Sequence, residues 1–246
     1  MDLTLCHLYP DLLNLYGDRG NLMTLAHRAQ WRGIAVRIEE RRLGDPVIPG
    51  EHDLYFIGGG EDRQQRLAVE DLRAVKGPAL REAAASGAVV LAVCGGYQLL
   101  GHYYRPSDGE DLVGVGLLDL TTEHPGPAAR RLIGNIVIRS PHLGGATLVG
   151  FENHGGRTRL GPRASPLGQV VVGFGNNGED HTEGAVGGTV YGTYLHGPLL
   201  PKNPRFADHL IQMALRRRYE LVDLAPLDDT LEVRAHDAAV VRSGAR

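Results

Sequence analysis

Residues 88–101 read AVVLAVCGGYQLLG, and the fold turns on how that stretch is divided. The run AVVLAV is apolar without alternation, as in a strand buried on both faces, and such strands belong to parallel sheets covered by helices. Cys94 ends the run, Gly95 and Gly96 follow, and GYQLLGHYY reads as the start of a helix. Strand, tight turn and helix in that order place Cys94 at the carboxyl end of a buried strand, where open α/β sheets collect their ligands.

Outward from this point the same pattern repeats. LTLCHLY (3–9) and IAVRIEE (34–40) read as strands around a helix of 22–32, with Asn21 as its cap and Leu22, Leu25, Ala26 and Ala29 on one face. DLYFIGGG (53–60) is a short strand ending in three glycines, and helices over 62–75 and 79–86 lead back to residue 88. Beyond residue 105 the pieces shorten and gain glycine: LVGVGLLDL, RLIGNIVIRS, ATLVGFE, QVVVGFG and TVYGTYLHG are expected to add strands at one side of the sheet. A helix over 204–218 has Phe206, Leu210, Met213 and Ala214 as its inner face. The expected fold is α/β: a mostly parallel, flavodoxin-like sheet flanked by helices, with extra β-strands in the second half. One domain over 1–220 is expected, with 221–246 as an extension that is packed on it or partly disordered and holds another amphipathic helix.

Composition narrows the function. The formal charge is −3, and of 26 basic residues only Lys76 and Lys202 are lysines, so arginines are dispersed and no polyanion-binding face is implied. No leader and no run of membrane-spanning length is visible, so a cytoplasmic protein is expected. Two cysteines 88 residues apart make neither a disulfide framework nor a zinc site, and no metal is expected.

Most free cysteines are small buried hydrophobes, and Cys6 fits that reading. Cys94 differs because small neighbours allow the strained backbone of a nucleophile elbow. The following helix would turn its free N–H groups toward the sulfur and favour thiolate. A thiolate attacking a carbonyl needs oxyanion donors. The N–H of Gly95 and the Gly58-Gly59-Gly60 turn, where a backbone without Cβ can approach closely, are candidates. The base must come from eleven histidines. His196, ending TVYGTYLHG, shares the sheet edge of Cys94 if the two strands run parallel; His154 in FENHGGRT is the second choice.

Five ordered blocks, YPDLLNLYGDRGN, FIGGGEDRQQ, CGGYQLLG, GFENHGGRT and YGTYLHGPLLPKN, resemble the triad-type class I glutamine amidotransferases, in the branch of the cobyric acid synthase glutaminase domains. The resemblance is nearer still to the GatD-type glutaminase subunits of lipid II isoglutaminyl synthase. It implies that Cys94 attacks the glutamine carboxamide, His196 protonates the departing ammonia, and water releases glutamate from the thioester. It also implies that Arg131 takes the glutamine α-carboxylate through a planar fork; on chemistry alone Arg130, Arg139, Arg157 and Arg159 serve equally well. Gln98 either lines the same pocket or caps the turn.

One departure stands out. Many class I relatives carry a glutamate two residues after the histidine, and here that position is Pro198. Glu152, Glu179, Asp180 or Glu183 could supply the acid, the site could be a dyad, or a partner chain could complete it. A partner is implied in any case, because free ammonia is protonated in water and the acceptor carboxylate needs activation. The chain has no G-x-x-x-x-G-K-[ST] loop, so ATP and magnesium are expected on a separate subunit and no cofactor in this one. The resemblance implies a Mur-ligase-like partner that amidates the D-glutamate α-carboxylate of the lipid II stem peptide. Alternatives are another acceptor such as a corrinoid carboxylate, a cysteine hydrolase of similar fold, or a scaffold with a degenerate pocket.

Overall fold

A computed structural model describes residues 1–220 and 222–245; the expected domain boundary at residue 221 and the final residue lie outside them. The first half runs β1 (Asp2–Leu8), α1 (Arg19–Gln30), β2 (Ala35–Arg41), β3 (Leu54–Ile57), α2 (Asp62–Asp71), α3 (Gly77–Ala85), β4 (Val89–Val93) and α4 (Gly95–Leu99). The second half runs β5 (Tyr103–Arg105), β6 (Leu112–Val113), β7 (Leu120–Glu123), β8 (Leu132–Ser140), β9 (Ala146–His154) and β10 (Arg157–Leu160). It continues with β11 (Gly168–Val172), β12 (Thr182–Glu183), β13 (Ala185–Gly187), β14 (Val190–Thr193), α5 (Pro204–Arg216) and α6 (Thr230–Ser243).

The central sheet has the order β13-β14-β4-β3-β1-β2. Every pairing is parallel except that of β13 with β14. β3, β4 and β14 are buried along their whole length, which is why their sequences carry no alternation. β2 is the parallel edge, and its Arg37, Glu39, Glu40 and Arg41 keep that edge from pairing with another chain.

Three expectations change. The strands of the second half do not all extend the central sheet: only β13 and β14 join it, and the others form two four-stranded sheets, β10-β7-β5-β6 and β12-β11-β8-β9. Local pattern marks a strand but not its partner. α1 begins at Arg19, so Asn21 is no cap; its buried side chain accepts the Leu200 N–H at 2.9 Å. The helix after Cys94 stops at Leu99, and Tyr103–Arg105 is strand β5. Gly101 lies against Leu120, where a Cβ would meet that side chain at 2.3 Å.

α2 and α3 are joined through a π-helical stretch, Leu72–Lys76, rather than by a break. Pro78 sits in the first turn of α3, where its missing N–H costs little. In α5, Phe206, Leu210 and Ala214 are buried as expected, together with Ala207, Ile211 and Leu215. α6 has no fully buried residue, yet His236 pins it by hydrogen bonds with Thr147 Oγ1 and the Lys202 carbonyl, both at 2.8 Å.

Candidate active site

β4 and β14 run side by side in parallel with Val93 opposite Thr193, so both chains leave the sheet at the same end. Cys94 follows β4 directly, and its N–H donates to the Thr193 carbonyl at 2.8 Å. Its φ of 49° and ψ of −106° put a non-glycine residue in a strained left-handed bend, the signature of an elbow that turns the side chain away from the strand. Gly95 is required there: a Cβ would lie 2.8 Å from the Gly60 carbonyl oxygen and 2.9 Å from its nitrogen. Cys6, by contrast, is sealed in β1, and burial pushes its thiol up to about 12.

His196 comes off β14 three residues past its end and meets Cys94 across Gly59. A methyl built on Gly59 would touch both, 2.9 Å from His196 Cε1 and 3.3 Å from Cys94 Cβ. The His196 backbone is tied to β9, donating to the Phe151 carbonyl at 2.9 Å and accepting the Phe151 N–H at 3.2 Å. Its ring is 1% exposed. Burial works against its positive charge, but the charge of Cys94 and the Asp18 carboxylate outweigh that and push its pKa up to about 10.

The acid beside His196 is Asp18, which the sequence reading did not name. Its Oδ1 stands 3.5 Å from His196 Nδ1, and its Oδ2 accepts the Gly59 N–H at 2.6 Å. Asp18 directly precedes α1 without capping it, and the turn that carries it is seated on the segment after His196. Gly20 packs on Pro198, where a Cβ would come within 2.6 Å of Cγ, and Asn21 holds Leu200. Pro198 thus serves as a seat for the turn that brings the carboxylate.

The four acids considered from sequence are engaged elsewhere. Glu152 accepts the N–H groups of Phe174 and Gly175. Glu183 is fully buried against Thr193 and the Tyr194 N–H, and burial pushes it up to about 8. Asp180 bonds Asn177 and Thr182, and Glu179 pairs with Arg159 on the surface. His154 lies flat on Tyr194, ring centroids 3.5 Å apart. Its Nδ1 donates to the Gly156 carbonyl at 2.9 Å, and burial lowers its proton affinity.

A cavity of about 510 Å³ opens onto Cys94 and is lined also by Gly60, Gln98, Arg131, Asn153 and His154. Of the five arginines weighed from sequence, Arg131 alone lines it; Arg63, which the sequence reading passed over, does so too. Arg157 is turned to the Gly155 and Arg130 carbonyls, and Arg139 to Gly145. Gln98 both lines the cavity and braces the elbow: it accepts from Gln65 at 2.9 Å and donates to the Tyr194 hydroxyl at 3.2 Å, while Gln65 also holds the Gly95 carbonyl. The Gly59 N–H is turned to Asp18, whereas Gly60 lines the cavity with Cys94 and packs against Gly95. Asp18, Gln65, Tyr16 and Asn153 all lie inside the quoted blocks, but no spacing marked their roles.

No helix among the described residues is long and apolar enough to cross a membrane. Residues 4–204 match the model of the CobB/CobQ-like glutamine amidotransferase domain. The chain is 43% identical over 242 residues to the lipid II isoglutaminyl synthase (glutamine-hydrolyzing) subunit GatD of Staphylococcus aureus, covering 98% of this chain and 96% of that one. Identity to the subunit of the same name from Streptococcus pneumoniae is 39%, over 93% and 87% of the two chains. A solved glutamine amidotransferase superposes with a TM-score of 0.56 at 15% identity, over 85% of this chain and 98% of that one, a likeness of fold. With an elbow cysteine facing a buried histidine inside that fold, the chain belongs to the CobB/CobQ-like glutamine amidotransferases.

Proposed function

We propose that this chain is the glutaminase subunit of a lipid II isoglutaminyl synthase, acting in the cytoplasm on L-glutamine. The observation that carries the chemistry is the meeting of Cys94 and His196 across Gly59, at the common end of β4 and β14. The Cys94 thiolate adds to the carboxamide carbon, and the N–H groups of Gly60 and Gly95 receive the oxyanion. Arg131 holds the α-carboxylate. His196, cationic beside the thiolate, gives its proton to the leaving nitrogen, and the tetrahedral adduct collapses with cleavage of its C–N bond, releasing ammonia and leaving the thioester. The neutral imidazole then takes a proton from water, which attacks the thioester and frees glutamate and the sulfur.

Similarity along nearly the whole length of two GatD subunits supports the acceptor. Ammonia passes to a Mur-ligase-like subunit, which binds ATP and magnesium and activates the D-glutamate α-carboxylate of the lipid II stem peptide. The 3.5 Å between Asp18 and His196 exceeds a formed hydrogen bond, so assembly that tightens this contact or adds a carboxylate would raise glutaminase activity.

The test is Cys94→Ala in the assembled complex. Glutamine-dependent amidation of lipid II should vanish while synthesis from ammonium chloride continues, because only the nitrogen supply is removed. Loss of both would overturn the division of labour. Amidation of a corrinoid carboxylate but not of lipid II would reassign the acceptor.

A further inference from the structure

Tyr16 is the unexplained residue at the cavity mouth. It is about half exposed and holds a φ of 54° and ψ of 25°, a left-handed conformation that a bulky side chain adopts only when its surroundings impose it. Two contacts impose it. The ring packs edge-on against His196, centroids 5.0 Å apart, and the hydroxyl accepts a hydrogen bond from Asn153 Nδ2 at 2.8 Å. Tyr16 lines the cavity and its ring packs on His196, so Tyr16 is the part of the cavity wall that backs onto the base.

Asn153 is bound from its other side by Arg131. The guanidinium donates through Nε to Asn153 Oδ1 and through Nη2 to the Asn153 carbonyl, both at 2.9 Å. Nε and Nη2 form one edge of the fork, so the end formed by Nη1 and Nη2 is left to meet a carboxylate. One asparagine therefore takes the side edge of the arginine with its oxygens and holds the phenol with its amide nitrogen. That amide orientation follows from its partners: only oxygen can accept from Nε, which leaves the NH2 for Tyr16.

We propose that Asn153 is a positioning residue that joins the α-carboxylate subsite at Arg131 to the Tyr16 wall against His196, so that capture of an amino-acid head group is transmitted to the base. The proposal rests on the reading of Arg131 given above. It makes the site selective for a glutamine-shaped substrate over a bare carboxamide, since only the former loads the arginine end of the chain.

Two alkylating probes separate the roles in the full chain: 6-diazo-5-oxo-L-norleucine, which carries the α-amino acid head, and iodoacetamide, which lacks it. The readout is the ratio of their second-order rate constants at Cys94. Asn153→Ala should lower that ratio about tenfold or more, as expected for losing the side-chain bond to a guanidinium while the backbone carbonyl bond stays, and Tyr16→Phe about threefold for one neutral bond. The double variant should fall no further than Asn153→Ala, because the phenol has by then lost its partner. Asn153→Ser, a smaller perturbation, should fall between the wild type and Asn153→Ala.

Equal losses for both probes in both Asn153 variants would show a general structural role and overturn the proposal. So would multiplied effects in the double variant. Arg131→Ala sets the benchmark. If it lowers the ratio and Asn153→Ala does not, the relay alone is wrong; if Arg131→Ala leaves the ratio unchanged, the carboxylate reading itself falls and the relay with it.

Discussion

Asp18 and His196 face one another with Oδ1 and Nδ1 3.5 Å apart, both side chains buried, and neither atom has a hydrogen-bond partner among the described residues. The carboxylate is fixed from its other oxygen by the Gly59 N–H, so its place is set by the same glycine turn that separates the histidine from Cys94.

The charge state of His196 follows from that arrangement. Its folded pKa of about 10 lies above an unfolded value of about 6.5. The stability it contributes is therefore complete below about 6.5 and is lost as pH rises through about 10. At pH 8 the imidazole should be cationic in the wild type. Cys94→Ala removes the leading attraction against burial, so the midpoint of the ring should fall, as read from imidazole nitrogen chemical shifts. Asp18→Asn should shift the midpoint the same way and slow glutamine hydrolysis about 10²-fold or more. An unshifted midpoint in both variants would remove the proposed electrostatic origin.

Gly59 is predicted to be irreplaceable for steric reasons. An alanine methyl would meet His196 Cε1 at 2.9 Å, Asp18 Oδ2 at 3.2 Å and Cys94 Cβ at 3.3 Å, so three groups of the site must part to admit it. Gly59→Ala should lower kcat/KM for glutamine about 10²-fold, the scale of a displacement near 1 Å in a reacting pair. Gly134→Ala on β8, with no atom within 4 Å of the new methyl, is the control and should keep wild-type kinetics.

Lys76 is fully buried and donates to Asp71 and to the Arg42 carbonyl, with its ammonium 4.7 Å from the Tyr9 ring centroid. The Tyr9 hydroxyl donates to the same Asp71 at 2.7 Å. Burial would raise the Asp71 carboxyl, but these bonds outweigh it and hold it below the usual range. Tyr9, at φ 53°, begins the segment that ends at Asp18, so the pair anchors one side of the site from beneath. Lys76→Met should destabilise the fold by about 3 kcal/mol or more in urea titrations, because it leaves a carboxylate with its main partner gone. Lys76→Met combined with Asp71→Leu should recover part of that loss; a double variant as unstable as the single one would locate the effect in packing rather than charge.

Much of this protein could be read in its residues one stretch at a time. Continuous apolar runs at β1, β3 and β4 announced a covered parallel sheet, the two glycines after Cys94 announced the bend, and TVYGTYLHG announced a strand that delivers a histidine. These are local signals, since burial on both faces and steric freedom at a turn are written in consecutive side chains. Asp18, 178 positions from His196 in the chain, carried no such mark. Neither did Asn153 between Arg131 and Tyr16, nor the separation of the later strands into two further sheets. Those partnerships arise only when the start of α1 seats on Pro198 and β9 pairs with the His196 backbone. A polar side chain's partner is fixed by where distant backbones come to rest, and chain order does not encode that distance.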